Sequence, residues 1–286
     1  MDKIKNIFNL LRVKQYVKNF FIFAPVIFAQ EFNDINKMIA LLISFVSFSL
    51  IASFVYIIND ISDIKEDINH PVKKNRPLAA GLITVRESLG IAVFLLISGF
   101  LTTYIFVPQI LPIIGFYLIL NLLYSKYLKH ISLVDIVVVS LCYVIRLFIG
   151  SVAANVVLSH WIIIMTFLLA MFLAIAKRRD DLKYENVRNC ISAYNRQFID
   201  ISMAITASVI IICYILYTIS PEVTTRFDCH YLYITSLFVL LGILRYLQIS
   251  LVEDNCCSPT EIYLKDRTLK IIIILWIAIF IGMIYR

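Results

Sequence analysis

The chain has 286 residues, 61% of them hydrophobic and 16% charged, with a mean hydropathy of +0.88, against about 45–50% apolar and about 25% charged in soluble domains. That balance excludes a soluble globular fold, and 7 Gly with 7 Pro exclude a fibrous or disordered polymer. The apolar residues come in long runs rather than in alternation, which argues against a β-barrel and leaves an all-α, polytopic membrane protein with a formal net charge of +7.

Runs of about 17–25 apolar residues can cross a bilayer as helix. In chain order they fall at 17–30, 38–58, 85–107, 110–125, 132–156, 159–177, 200–219, 231–250 and 269–285. About nine transmembrane helices are expected, the first and fourth short, in one integral membrane domain covering 1–286. The basic N-terminus lacks a small-residue cleavage pattern, so the first run reads as a membrane segment rather than a removable signal. Thr84–Glu87, Ser132–Asp135 and Ser258–Glu261 fit the capping-box pattern that satisfies free amides at a helix start.

With the N-terminus in the cytoplasm, the basic residues gather on that side. Of the 26 Lys and Arg, only Lys37, Arg226, Arg286 and the intramembrane Arg146 fall elsewhere. The positive-inside rule then gives a multi-pass protein of the cell (inner or plasma) membrane, N-terminus in and C-terminus out. Anchoring accounts for the positive charge, so no nucleic-acid partner is implied. The six cysteines form no CxxC pair and the four histidines show no ligand spacing, which argues against disulfides or zinc. Hydrolase, zinc-protease and nucleotide-triphosphatase motifs are absent.

The densest polar cluster ends the second run, from Tyr56 to Pro77. At 100° per residue Asp60, Asp63 and Asp67 fall within about 60° of one another on a helix, with Asn59 one turn below Asp63. Oxygen-only ligands on one surface suit Mg²⁺, which keeps several waters and shares its shell with substrate phosphates. Lys73 and Arg76 follow at once, as a polyphosphate site requires. A solvated, charged helix end is the competing explanation. A second cluster, Lys177-Arg178-Arg179-Asp180-Asp181, closes the sixth run and reads either as phosphate-gripping cations or as a positive-inside cap. Arg146 is the single charge deep in an apolar run and needs a ligand inside the bundle or a partner there, such as a buried salt bridge.

Asn59–Asp67 matches the NDxxDxxxD motif of the UbiA-type intramembrane prenyltransferases. The continuation HPVKKNRPLAAG closely resembles the decaprenyl-phosphate phosphoribosyltransferase branch, as do LRVKQYVKNFFIFAP, YLKHISLVDIVVVSLCYVIRLFIG, AIAKRRDDL and SPTEIYLKDRTLKIIIILW. The resemblance implies a UbiA-like bundle with a cavity open to the cytoplasm. It also implies an enzyme that moves 5-phosphoribosyl from phosphoribosyl diphosphate (PRPP) to a polyprenyl phosphate for cell-envelope polysaccharide precursors. Asn59 and Asp63 would bind Mg²⁺, with Asp60 and Asp67 completing the catalytic motif. Lys18, Tyr56, Lys73, Arg76, Lys177 and Arg178 would contact PRPP, and Lys129 with Arg146 the lipid phosphate. Prenyl transfer from a prenyl diphosphate to an aromatic or other small acceptor is the alternative within the superfamily, and a lipid-phosphate transporter or membrane scaffold the alternative outside it. A homo-oligomer is compatible with the sequence.

Overall fold

The computed structural model describes residues 2–69, 72–183, 193–253, 262 and 265–285. The Ser258–Glu261 capping box and Cys190, Cys256 and Cys257 lie outside them; Cys142, Cys213 and Cys229 are free thiols. Among the described residues the long elements are all helices: α1 (Asp2–Leu10), a 3₁₀ helix Val13–Phe23, α2 (Ala24–Ala29), α3 (Ile35–Ser62), α4 (Ile64–Ile68), α5 (Val85–Phe106), α6 (Leu111–Lys126), α7 (Val134–Ala154), α8 (His160–Asp181), α9 (Arg196–Ile219), α10 (Pro221–Phe227), α11 (Ser236–Leu251) and α12 (Arg267–Ile284). Among the described residues eight helices are long and apolar enough to cross a membrane.

The expected first membrane helix is not one regular helix but a 3₁₀ segment of 11 residues followed by an α-helix of 6. At about 2.0 and 1.5 Å per residue the two together rise roughly 31 Å, the thickness of a hydrocarbon core. They run antiparallel to α3. Tyr16 meets Ser53 (Oη to Oγ 2.8 Å), Asn19 meets Ser49, and the Phe23 ring lies 5.8 Å from that of Phe45. The segment therefore runs beside residues 45–53 of α3, and its apolar pattern alone cannot distinguish a stretched coil from an α-helix.

The chain divides into two compact units, 1–158 and 159–286. In the first, α3 is the hub, and its buried Ser44, Ser47, Ser49 and Ser53 let neighbours approach closely. A Cβ on Gly99 of α5 would come within 2.6 Å of the Ile51 side chain, and one on Gly150 of α7 within 1.9 Å of the Ile22 carbonyl oxygen. Glycine at both positions permits backbone contact that larger residues forbid. Phe48, Ile51, Tyr117, Ile145 and Ile149 fill the core between these helices, while Phe94, Ile97 and Tyr104 of α5 stand exposed on the outer face.

The Thr84 capping box forms as the sequence indicates, with Thr84 and Glu87 exchanging hydrogen bonds. The one expected at Ser132 does not. The chain enters α7 through Leu133 at φ 65°, with no side-chain cap, immediately after a loop held by a buried lysine. A tertiary anchor outweighs the local capping preference there.

In the second unit α9 packs between α8 and α11, and α11 against α12. Tyr214 on α9 accepts from Trp276 Nε1 (2.8 Å) and bonds Thr235 (2.8 Å), tying α9 to α12. Asp266 caps α12 through the Leu269 amide and pairs with Arg245, which holds the Asp266 carboxyl below its ordinary pKa.

Candidate active site

The acidic motif sits where α3 breaks. Asp63 is the junction residue (φ −96°, ψ 5°), although its amide still bonds the Asn59 carbonyl at 2.9 Å and its own carbonyl accepts from the Asp67 amide at 2.8 Å. The break divides the motif rather than leaving its acids on one surface. Asn59 and Asp63 turn toward α6 and the turn after it: Ser125 Oγ donates to Asn59 Oδ1, and Lys129 Nζ donates to Asp63 Oδ1 at 2.5 Å. Ser125 and Lys129 are spaced by four like Asn59 and Asp63, so α3 and α6 run in the same direction and meet in register. Both Asp63 and Lys129 are buried.

Asp60 and Asp67 turn the other way. Arg76 bridges them, at 3.0 Å to Asp60 and 2.6 Å to Asp67, and Arg12 also pairs with Asp60. Arg12 is at φ 52°, where α1 hands over to the 3₁₀ segment, and its guanidinium lies 5.2 Å from the Tyr56 ring centre. Burial and the neighbouring Arg12 charge press the Arg76 pKa below its ordinary value, against the pull of Asp60 and Asp67. Lys73 lies half-buried on the 3₁₀ turn Lys73–Asn75 just before Arg76.

Deeper along α3 is a second cationic level. Arg146 is 3% exposed and has no carboxylate partner among the described residues, so it is not half of a buried salt bridge. Its Nε donates to Asn19 Oδ1 at 2.9 Å, a second nitrogen donates to the Cys142 carbonyl, and the faces of Phe48, Tyr143 and Tyr117 lie 5.1, 5.3 and 6.0 Å away. Lys18, adjacent to Asn19, is repelled by both Arg146 and Arg12 and has no hydrogen-bond or ion-pair partner among the described residues. Lys129 and Arg146, expected to act together, thus sit on separate levels, and Lys18 joins Arg146.

In the second unit, Arg178 and Arg179 are buried at the end of α8 while Lys177 is exposed. Arg178 pairs with Asp181, and Arg179 with Asp200 at 2.7 Å and with the Ser250 carbonyl. Arg179 therefore ties α8 to α9 and α11.

Among the described residues no three His, Cys, Asp or Glu side chains are grouped to hold a metal. The hard oxygens of Asn59 and Asp63, one turn apart, fit an ion that completes its shell with water and substrate phosphates, as Mg²⁺ does.

The profile of the UbiA prenyltransferase family matches residues 20–255. The chain belongs to that family. Its relatives include the decaprenyl-phosphate phosphoribosyltransferases of Mycolicibacterium smegmatis, 27% identical over 99% of this chain and 93% of that one, and of Corynebacterium glutamicum, 27% identical over 96% and 85%. A solved UbiA homolog from Archaeoglobus fulgidus bound to DMAPP and Mg²⁺ superposes with a TM-score of 0.72 at 18% identity, covering 97% of this chain and 98% of that one. This UbiA-family protein is therefore an all-α, multi-pass membrane transferase, as its hydropathy and motifs indicate.

Arg12, Asn19 and Ser125 hold key positions in this UbiA-family site, yet the sequence does not single them out. Their partners Asp60, Arg146 and Asn59 lie 48, 127 and 66 residues away, beyond the reach of any local pattern. Arg12→Gln should leave the buried Asp60 dependent on a guanidinium it shares with Asp67, at a cost of about 1–3 kcal/mol. A lower Tm in detergent is expected, with most of it recovered in Arg12→Gln/Asp60→Asn. A single variant melting like the wild type would show that the pair does not hold α1 to α3.

Proposed function

We propose that this protein transfers a 5-phosphoribosyl group from PRPP to a polyprenyl phosphate, releasing diphosphate in a Mg²⁺-dependent reaction. The observation that carries the reading is the charge balance of the first unit. Asp60, Asp63 and Asp67 are each matched by Arg12, Arg76 or Lys129, while Lys18 and Arg146 add two positive charges with no carboxylate against them. Such an interior favours a donor bearing several phosphates over one with an apolar far end. The relatives named for decaprenyl-phosphate phosphoribosyl transfer point the same way.

Asn59 and Asp63 would hold Mg²⁺, which when bound neutralises charge developing on the leaving diphosphate. Lys129, Arg76 and Lys73 stand around the same helix end and would orient that diphosphate. Tyr56, one turn before Asn59 and under Arg12, would form the wall against which the donor rests. The lipid phosphate is already an anion at neutral pH, so it can attack the anomeric carbon without a general base, and positioning supplies most of the rate. A polyprenyl tail can lie sideways between helices while its phosphate stays at the interface. The distribution of basic loops supports a topology with this end of α3 and the N-terminus on the cytoplasmic side of the cell membrane.

The test uses purified protein in detergent with Mg²⁺, radiolabelled PRPP and a short polyprenyl phosphate, following label into the organic phase. Transfer that EDTA abolishes is expected. No transfer, with product formed instead from a prenyl diphosphate and an aromatic acid, would make the protein a prenyltransferase. Lipid-phosphate flux across vesicles without either product would make it a transporter.

A further inference from the structure

The acids of the α3 motif are neutralised in two different ways. Asp60 and Asp67 are held by Arg76 at 3.0 and 2.6 Å, with Arg12 also on Asp60. A guanidinium is a rigid planar fork, and here it bridges two carboxylates, so both of those charges are already matched. Asp63 is matched instead by the Lys129 ammonium, 2.5 Å away, with side-chain exposures of 12% and 7%. An ammonium is a compact point charge on a flexible stem. This one extends not from a membrane helix but from the short turn Leu128–His130 that follows α6. One helical turn earlier, Asn59 Oδ1 accepts from the Ser125 hydroxyl, a neutral group that is free to rotate away. Of the two oxygens offered to a metal, one is therefore held by a hydroxyl and the other by a charge.

We infer that Lys129 is an internal counter-ion standing in the cation position on Asp63, and that it makes the Asn59–Asp63 site select a divalent cation already carrying a diphosphate over the bare ion. The inference rests on the metal site assigned under Proposed function and gives Lys129 a role besides orienting the diphosphate. A bare divalent cation arriving at Asp63 must either displace the ammonium or sit beside it. Displaced, the ammonium finds no unmatched carboxylate in the motif, because Asp60 and Asp67 already carry Arg76 and Arg12, and a buried ammonium without a partner is costly. Left in place, it repels the incoming charge at the same carboxylate. A metal diphosphate brings its own negative charge, so Lys129 exchanges a carboxylate oxygen for a phosphate oxygen and stays paired throughout. Cation and diphosphate are thereby coupled through one side chain, and the coupling acts equally on both.

The experiment titrates detergent-solubilised protein calorimetrically with Mg²⁺ alone and with preformed Mg²⁺–diphosphate, and records the Tm with and without Mg²⁺. Lys129→Met should tighten bare Mg²⁺ by about 10–100-fold, the usual range of such couplings, and weaken Mg²⁺–diphosphate by a comparable factor. Mg²⁺ should raise the Tm of Lys129→Met well above its metal-free value and barely move that of the wild type, because stabilisation by a ligand grows with its affinity. Asp63→Asn/Lys129→Met should lose the bare-ion response, which assigns it to Asp63. Where Lys129→Met does not fold, Lys129→Gln, which keeps a hydrogen-bond donor for Asp63 without the charge, gives the same comparison. A lysine with a merely structural role would weaken both ligands when replaced, and one that only binds phosphate would leave bare Mg²⁺ unchanged; either result overturns the inference. Turnover of a prenyl diphosphate in place of PRPP would end the phosphoribosyl reading and leave the role of Lys129 standing, since both donors carry the diphosphate. Wild-type protein that binds neither ligand would overturn the inference together with the metal site.

Discussion

Asp63→Asn is expected to lower Mg²⁺-dependent transfer by about 10²–10³-fold, the scale seen when one preorganised electrostatic contact to developing charge is removed. The substitution keeps the side chain's volume and removes its charge, and with it the single carboxylate of the Asn59–Asp63 pair. It also leaves Lys129 without the carboxylate 2.5 Å from its ammonium, in a place where side-chain exposures are 7% and 12%. Breaking one partner of a buried pair costs about 3–5 kcal/mol, so a lower Tm accompanies the lost rate and could be mistaken for its cause. The double variant Asp63→Asn/Lys129→Met separates the two effects. Removing the stranded ammonium should restore most of the Tm while transfer stays lost. Retention of Mg²⁺-dependent turnover within a few-fold in Asp63→Asn would remove Asp63 from the metal site, whatever the melting behaviour.

Asp60 and Asp67 differ from Asp63 in kind. A helical wheel puts all three on one face, and the sequence offers no reason to divide them. The division comes from the break at Asp63 and from two arginines that approach from other parts of the chain, one 48 residues before Asp60 and one 16 after it. Run length made α3, α5 and α7–α9 legible, because a bilayer demands about 20 apolar residues per helix whatever the tertiary context. The same rule marked the Val13–Ala29 stretch as apolar but not its form, since 3₁₀ and α geometry have the same composition. Thr84 could be read as a cap because both its partners lie within three residues, whereas Ser132 lost that role to a loop anchored through Lys129. Arg146 was legible as an anomaly from its isolation. That Asn19 would meet it, and that Lys18, already named as a substrate contact, would share its level, was not, because nothing local records which helix passes beside which.

Gly150 shows how closely that inner level depends on backbone contact. A Cβ at this position would lie 1.9 Å from the Ile22 carbonyl oxygen, 2.8 Å from its carbonyl carbon and 3.2 Å from its Cα. All three are backbone atoms, so no rotamer change relieves the clash, and the 3₁₀ segment must retreat by roughly 1–2 Å to reach ordinary contact distances. The segment that retreats carries Asn19 and Lys18, one 3₁₀ turn before Ile22, and Gly150 lies one α-turn after Arg146. Gly150→Ala is therefore expected to destabilise the first unit by about 1–3 kcal/mol, as overpacking does. It should also pull Asn19 off Arg146, and a 1 Å misplacement of binding groups can cost about 10²-fold in rate. The measurements are the Tm in detergent and the transfer rate under saturating Mg²⁺. A compensating Ile22→Gly removes only a side chain and leaves the offending carbonyl in place, so it should not rescue either quantity. Full activity and an unchanged Tm in Gly150→Ala would mean that the 3₁₀ segment and α7 stand further apart than the structure has them, and that Arg146 is not held by Asn19.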